Sequence, residues 1–172
     1  LRLDVSRVVV GGDSAGGNLA LVAALTLVES LGPKPIGQLL IYPMCDQRAH
    51  SPSRRVFAED HLLTAAVIAH FQSLYLTSPQ DMLDWRASPL LAPDFSALPP
   101  ALVISAEYDP LIDDVKACVA RLMRSGVAVE HHEFPGMIHG FFPLGGLFDD
   151  ARRAVDLAAA WLKNRFLLAN QE

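Results

Sequence analysis

Residues 8–28 read VVVGGDSAGGNLALVAALTLV: three β-branched residues, two pairs of glycines around Asp13, Ser14 and Ala15, then an apolar run without alternation. Such a segment commits the chain to a strand that turns sharply into a buried helix. β-branched residues suit extended backbone, and Ala and Leu suit a helix. Glycine allows the tight turn and the close approach of helix to strand. The helix is expected over 15–29, stopped by Gly32 and Pro33. The pattern then recurs. IGQLLIYP, PALVISAEYDP and VAVEHHEFPG read as three further strands. Between the last two, Leu111, Val115, Val119 and Leu122 fall on one helical face that Gly126 closes. A final helix over 149–168 carries Ala154, Leu157, Ala158, Trp161 and Leu162 at helical spacing.

Strands alternating with helices predict an α/β fold, a mostly parallel sheet with helices on both faces. The interval 46–93 departs from the pattern. It is helical at HLLTAAVIAHFQSLYL, irregular at TSPQDMLDWRASPLLAPDF, and holds no segment that fits the sheet. The expected division is therefore a core of residues 1–45 and 94–172, with 46–93 as a helical insertion and return segment over the sheet's edge.

Composition narrows the function. At 172 residues one domain is the default. The 14 Lys and Arg are scattered within a net charge of -5, so no basic stripe is available to nucleic acid. The longest apolar run, 19–28, is short of the roughly 20 residues that span a bilayer. No segment resembles a signal peptide, and the two cysteines, Cys45 and Cys118, lack CxxC spacing, so a reduced cytoplasmic setting is expected. His131 and His132 are adjacent and in a strand would point to opposite faces, which argues against a metal site. No cofactor is expected.

Gly12-Asp13-Ser14-Ala15-Gly16 sets a serine between glycines where strand becomes helix. The turn lifts the hydroxyl clear of the backbone, and the helix N-terminus offers the Ala15 N–H to a developing oxyanion. A serine needs a base oriented by a carboxylate. Asp109, directly after the third strand, is the acid candidate, although Asp109-Pro110 also has the look of a helix start; Asp113 and Asp114, in the next helix's first turn, are the alternatives. His139 follows the fourth strand between Gly136 and Gly140 and is the base candidate; His50, His61, His70, His131 and His132 lie in less suitable loops, helices or strand positions. Met137, Ile138, Phe141 and Phe142 flank it, as pocket lining or as core.

GDSAGGNLA, RASPLLA, LPPALVISAEYDPLIDD and FPGMIHGFF, in this order, resemble the hormone-sensitive-lipase family of α/β-hydrolases. The resemblance implies Ser14 as nucleophile, Asp109 as orienting acid, His139 as general base and acid, Ala15 N–H as an oxyanion donor, and Gly12 and Gly16 as the elbow glycines. It implies hydrolysis of short to medium acyl esters through an acyl-serine, and it likens residues 59–76 to part of that family's cap. The family's His-Gly-Gly-Gly oxyanion segment does not precede Ser14 in this sequence. The expectation is a carboxyl-terminal part of a larger esterase, weak or inactive alone, completed by an upstream segment or a second copy. A non-catalytic binding protein on the same scaffold and an inert fragment are the rival readings.

Overall fold

In the computed structural model, which describes residues 4–30, 32–48 and 50–169, four strands form one sheet. They are β1 (Val9–Asp13), β2 (Gly37–Ile41), β3 (Ala101–Tyr108) and β4 (Val129–Ile138), ordered β1-β2-β3-β4 and parallel throughout. Parallel neighbours need long crossovers. Here α1 (Ala15–Glu29) links β1 to β2, and α4 (Ile112–Arg124) links β3 to β4. Helix α5 (Asp149–Leu168) follows β4.

A strand order that advances steadily in one direction through right-handed crossovers places its crossover helices on the same face. The strand side chains record this. On β3, Ala101 and Val103 join the core beneath α1 and α4, with Leu21, Leu25, Val115 and Leu122. Leu102, Ile104 and Ala106 alternate to the other face and meet Ala151, Ala154 and Ala158 of α5. Both faces are covered, so β3 is apolar without a break, as a doubly buried strand requires. Helix α1 buries Gly17, Asn18, Ala20, Leu21, Ala24 and Leu25, and the Lys34 ammonium caps the carbonyls of Val28 and Ser30 at its end.

Two elements differ from the sequence expectation. Strand β4 does not stop at Gly136; past a register shift between Ala106 and Tyr108, Tyr108 pairs with Ile138, and Gly136 adopts φ 73° there. Segment 46–93 packs on residues that follow the strands' carboxyl ends, Met44 after β2 and Pro110, Leu111 and Asp113 after β3. Its α2 (Pro52–Val56) is too short to persist by propensity and is fixed by bonds to the β3–α4 turn. Its α3 (Ala65–Tyr75) starts at Thr64, whose side chain accepts from the Val67 N–H, and Ile68 packs with Leu63 and Leu111. The return segment ends near Ala92, which joins the α1–α4 core together with Phe95 and Leu98 just beyond it, and the Arg121 guanidinium stacks 4.3 Å from the Phe95 ring.

Candidate active site

Ser14 sits between β1 and α1 with φ 54° and ψ -118°, a conformation that costs an L-residue of order 1–3 kcal/mol. The surroundings enforce it. The Ser14 N–H donates to Ile41 O (2.8 Å), and Ser14 O accepts from the N–H groups of Asn18 (3.1 Å) and Met44 (3.2 Å). A Cβ on Gly12 would lie 2.5 Å from the Gly16 carbonyl carbon and oxygen, and one on Gly17 would lie 2.8 Å from Pro43 Cβ. A Cβ on Gly16 would approach only Asp13 Oδ1, at 3.9 Å. Of the two expected elbow glycines, Gly12 thus requires its missing side chain. Gly16 contributes the backbone that Gly12 packs on, and Gly17 carries the second steric requirement, against Pro43. Ala15 is the first residue of α1 and lines the cavity beside Ser14, and its N–H has no partner within the helix.

The candidate base and the candidate acid arrive from two other strand ends. His139 follows β4, and its Nε2 lies 2.8 Å from Ser14 Oγ. Its Nδ1 lies 2.7 Å from Asp109 Oδ2. Asp109 is fully buried, and its other oxygen, Oδ1, accepts from the Leu111 N–H at 2.7 Å. It therefore serves both the turn into α4 and the histidine. The alternative acids are committed elsewhere. Asp113 Oδ2 accepts from the Ser53 N–H, and Asp114 Oδ2 receives Arg54 Nη2 at 2.5 Å. Burial drives the Asp114 carboxyl up to about 6 despite the Arg54 cation, with Asp46 and Asp109 adding to the rise. In the tautomer that carries its proton on Nδ1, His139 donates to Asp109 and its Nε2 accepts from the Ser14 hydroxyl.

Tyr42, at φ 33°, tilts its ring against His139 with centroids 4.6 Å apart. Burial, then the Asp13 charge, pushes its phenol well above the usual range, so it stays a neutral wall. His131, by contrast, bonds Ser105 Oγ within the sheet (2.9 Å). Among the described residues no group of three His, Cys, Asp or Glu side chains converges on a point that could hold a metal ion.

Ser14, Ala15 and His139 open onto a cavity of about 710 Å³ between α1 and α3, walled by Leu19, Leu63, Val67, Ile68, Phe71 and Tyr75 among others. Met137, Ile138 and Phe141 are not part of that wall. After His139 the backbone turns at Gly140 (φ 80°) and runs behind the sheet, where Phe141 is fully buried against Phe134 and Tyr42, and Met137 packs on the same cluster. Phe142 borders a separate shallow depression beside Arg152. The cavity wall comes instead from α3, and its signal was in the sequence: Val67, Phe71 and Tyr75 recur every four residues on one face.

A profile of the alpha/beta hydrolase fold matches residues 1–143. The chain belongs to the α/β-hydrolase family. Among curated relatives, this α/β-hydrolase is 38% identical over 154 residues to the ethyl acetate hydrolase of Pseudomonas putida, covering 88% of this chain and 48% of the relative. It is 39% identical over 165 residues to the carboxylesterase NlhH of Mycobacterium tuberculosis, covering 93% of this chain and 51% of the relative. Among solved structures, the thermostable carboxylesterase EstE1 from a metagenomic library superposes with a TM-score of 0.90 at 39% identity, over 95% of this chain and 56% of that one. These relatives bear out the resemblance read from the four motifs. The α/β-hydrolase described here spans about half the length of the curated relatives it matches.

Proposed function

We propose that this α/β-hydrolase is the catalytic-residue-bearing part of a carboxylic ester hydrolase acting on short to medium acyl esters. The observation that supports it is the continuous hydrogen-bond chain Ser14–His139–Asp109, delivered by three strand ends at 2.8 and 2.7 Å. Ser14 Oγ attacks the ester carbonyl carbon while His139 Nε2 takes its proton. The carbonyl oxygen becomes an oxyanion facing the Ala15 N–H, and Asp109 stabilises the imidazolium that forms. His139 then gives the proton to the departing alcohol, leaving an acyl-serine. Water repeats the sequence with His139 as base, releasing the acid. The largely apolar cavity of about 710 Å³ suits the carbon chain of such an ester.

Turnover by these 172 residues is proposed to be weak. Ala15 supplies one oxyanion donor, and each donor lost costs about 2.7–4 kcal/mol of transition-state stabilisation. The relatives' roughly twofold greater length supports an origin for the remaining donors outside these residues, in a longer chain or a complementing segment. The same reading keeps residues 1–45 and 94–172 as core and 46–93 as cap. The test is a fluorophosphonate probe. Stoichiometric labelling of Ser14, abolished in His139→Ala, is expected; labelling that is absent or indifferent to His139 sinks the proposal. Hydrolysis of p-nitrophenyl butyrate should be slow on this chain and rise when the upstream half of a relative is added.

A further inference from the structure

One part of the cavity wall is not apolar. Gln47, in the loop after β2, and Gln72, on α3, both line it. The Gln47 N–H donates to the buried Ser88 Oγ (2.9 Å), which fixes the backbone. Gln72 Nε2 donates to Gln47 O (2.8 Å) and to Gln47 Oε1 (3.1 Å). This network decides the orientation of both amides. The Gln72 atom facing a backbone carbonyl has to be nitrogen, and the Gln47 atom facing that nitrogen has to be oxygen.

The remaining groups follow by elimination. Gln47 Nε2 carries two N–H donors and Gln72 Oε1 two lone pairs, and among the described residues neither has a hydrogen-bond partner. Neither is sealed off: the sealed, unpartnered side-chain atoms among the described residues are Gln38 Oε1 and Arg54 Nε. Gln47 is only 8% exposed and lies on the cavity wall, so its amide opens into the cavity. A buried polar group left without a partner costs about 1–3 kcal/mol. An all-apolar occupant that displaced water from Gln47 Nε2 would impose that cost.

From this we infer that the Gln47–Gln72 pair is a polar subsite within the cavity, and that the preferred ligand is an ester whose carbon chain carries a neutral hydrogen-bonding group, a hydroxyl above all. A hydroxyl is the smallest group that both accepts from Gln47 Nε2 and donates to Gln72 Oε1. Among the described residues the wall holds no Lys or Arg, which disfavours a free carboxylate. The inference rests on the reading of this cavity as the ester site, and it deepens that reading by naming a substrate class.

The test measures binding in a Ser14→Ala chain, so that it does not depend on turnover. By isothermal titration, 4-hydroxybutyl, 6-hydroxyhexyl and 8-hydroxyoctyl acetate are each compared with the unhydroxylated parent ester. At one chain length or more the hydroxylated ester is expected to bind at least as tightly as its parent, although a hydroxyl ordinarily weakens entry into an apolar cavity. Gln47→Met, which leaves Gln72 bonded to the Gln47 backbone, should shift that preference about three- to tenfold toward the parent, the scale of one net hydrogen bond. Gln72→Met should do the same, and the thermal melt of each variant shows whether it is folded. Parents that bind more tightly at every length in the Ser14→Ala chain overturn the inference without recourse to a variant. So does an unchanged preference in a folded Gln47→Met or Gln72→Met chain, or the absence of any binding. Fluorophosphonate labelling of Ser14 is read separately, so a chain that labels but ignores the hydroxyl refutes the subsite alone.

Discussion

Asp114 offers a sharp test of how the β3–α4 turn is held. Its carboxylate is 3% exposed and receives Arg54 Nη2 at 2.5 Å, yet burial outweighs that cation and lifts its pKa from 3.8 to about 6. A carboxyl raised on folding binds its proton more tightly in the native chain. Its effect is therefore to make the fold more stable as pH falls through about 6, until the unfolded chain also protonates near 3.8. Between pH 7 and pH 4.5 the two-state linkage relation gives a gain of about 2 kcal/mol from this group. Other carboxylates titrate as well, so the quantity to measure is a difference. Urea unfolding of the wild-type chain and of Asp114→Asn, followed at both pH values, should show the wild type gaining about 2 kcal/mol relative to the variant on acidification. Parallel pH profiles, or a wild type that loses ground to Asp114→Asn as the pH falls, would show that Arg54 outweighs burial and that the sign is wrong.

Three further outcomes are expected. Gly12→Ala drives a Cβ to 2.5 Å from the Gly16 backbone; an overpacked core position costs about 1–3 kcal/mol or more, so its melting temperature should drop and Ser14 labelling vanish, while Gly16→Ala melts close to wild type. Asp109→Asn frees the imidazole to take the wrong tautomer, and fluorophosphonate labelling of Ser14 should slow by roughly 10⁴-fold with the fold retained by circular dichroism. Ser53→Ala deletes the bond from Ser53 Oγ to Pro110 O (2.8 Å) that ties α2 to the acid's turn, and urea unfolding should register a loss of about 1 kcal/mol.

The strands and crossover helices were legible because burial writes them twice, in apolar runs and in the turn residues that end them. The convergence of Ser14, Asp109 and His139 was legible because each follows a strand that could be read. The rest depends on contacts distant in sequence. Met137, Ile138 and Phe141 neighbour His139 in sequence, but Met137 and, after the left-handed Gly140, Phe141 pack with Phe134 and Tyr42, while Ile138 pairs with Tyr108 in the sheet. Helix α2 has almost no local signal, since its stability comes from bonds to Pro110 and Asp113 about sixty positions away. Gln47 and Gln72 look like ordinary surface amides until the fold sets them against each other.

The advancing order β1-β2-β3-β4 also sets a timetable. Each strand docks on the one before it, so a chain emerging from the ribosome can add strands one at a time without waiting for a distant partner. The elbow is complete once Ile41 has accepted the Ser14 N–H. His139, the proposed base, is 125 residues from Ser14 and follows β4, so it takes its place only after β4 has paired with β3. On the proposed mechanism, Ser14 therefore stays without its base until β4 is in place.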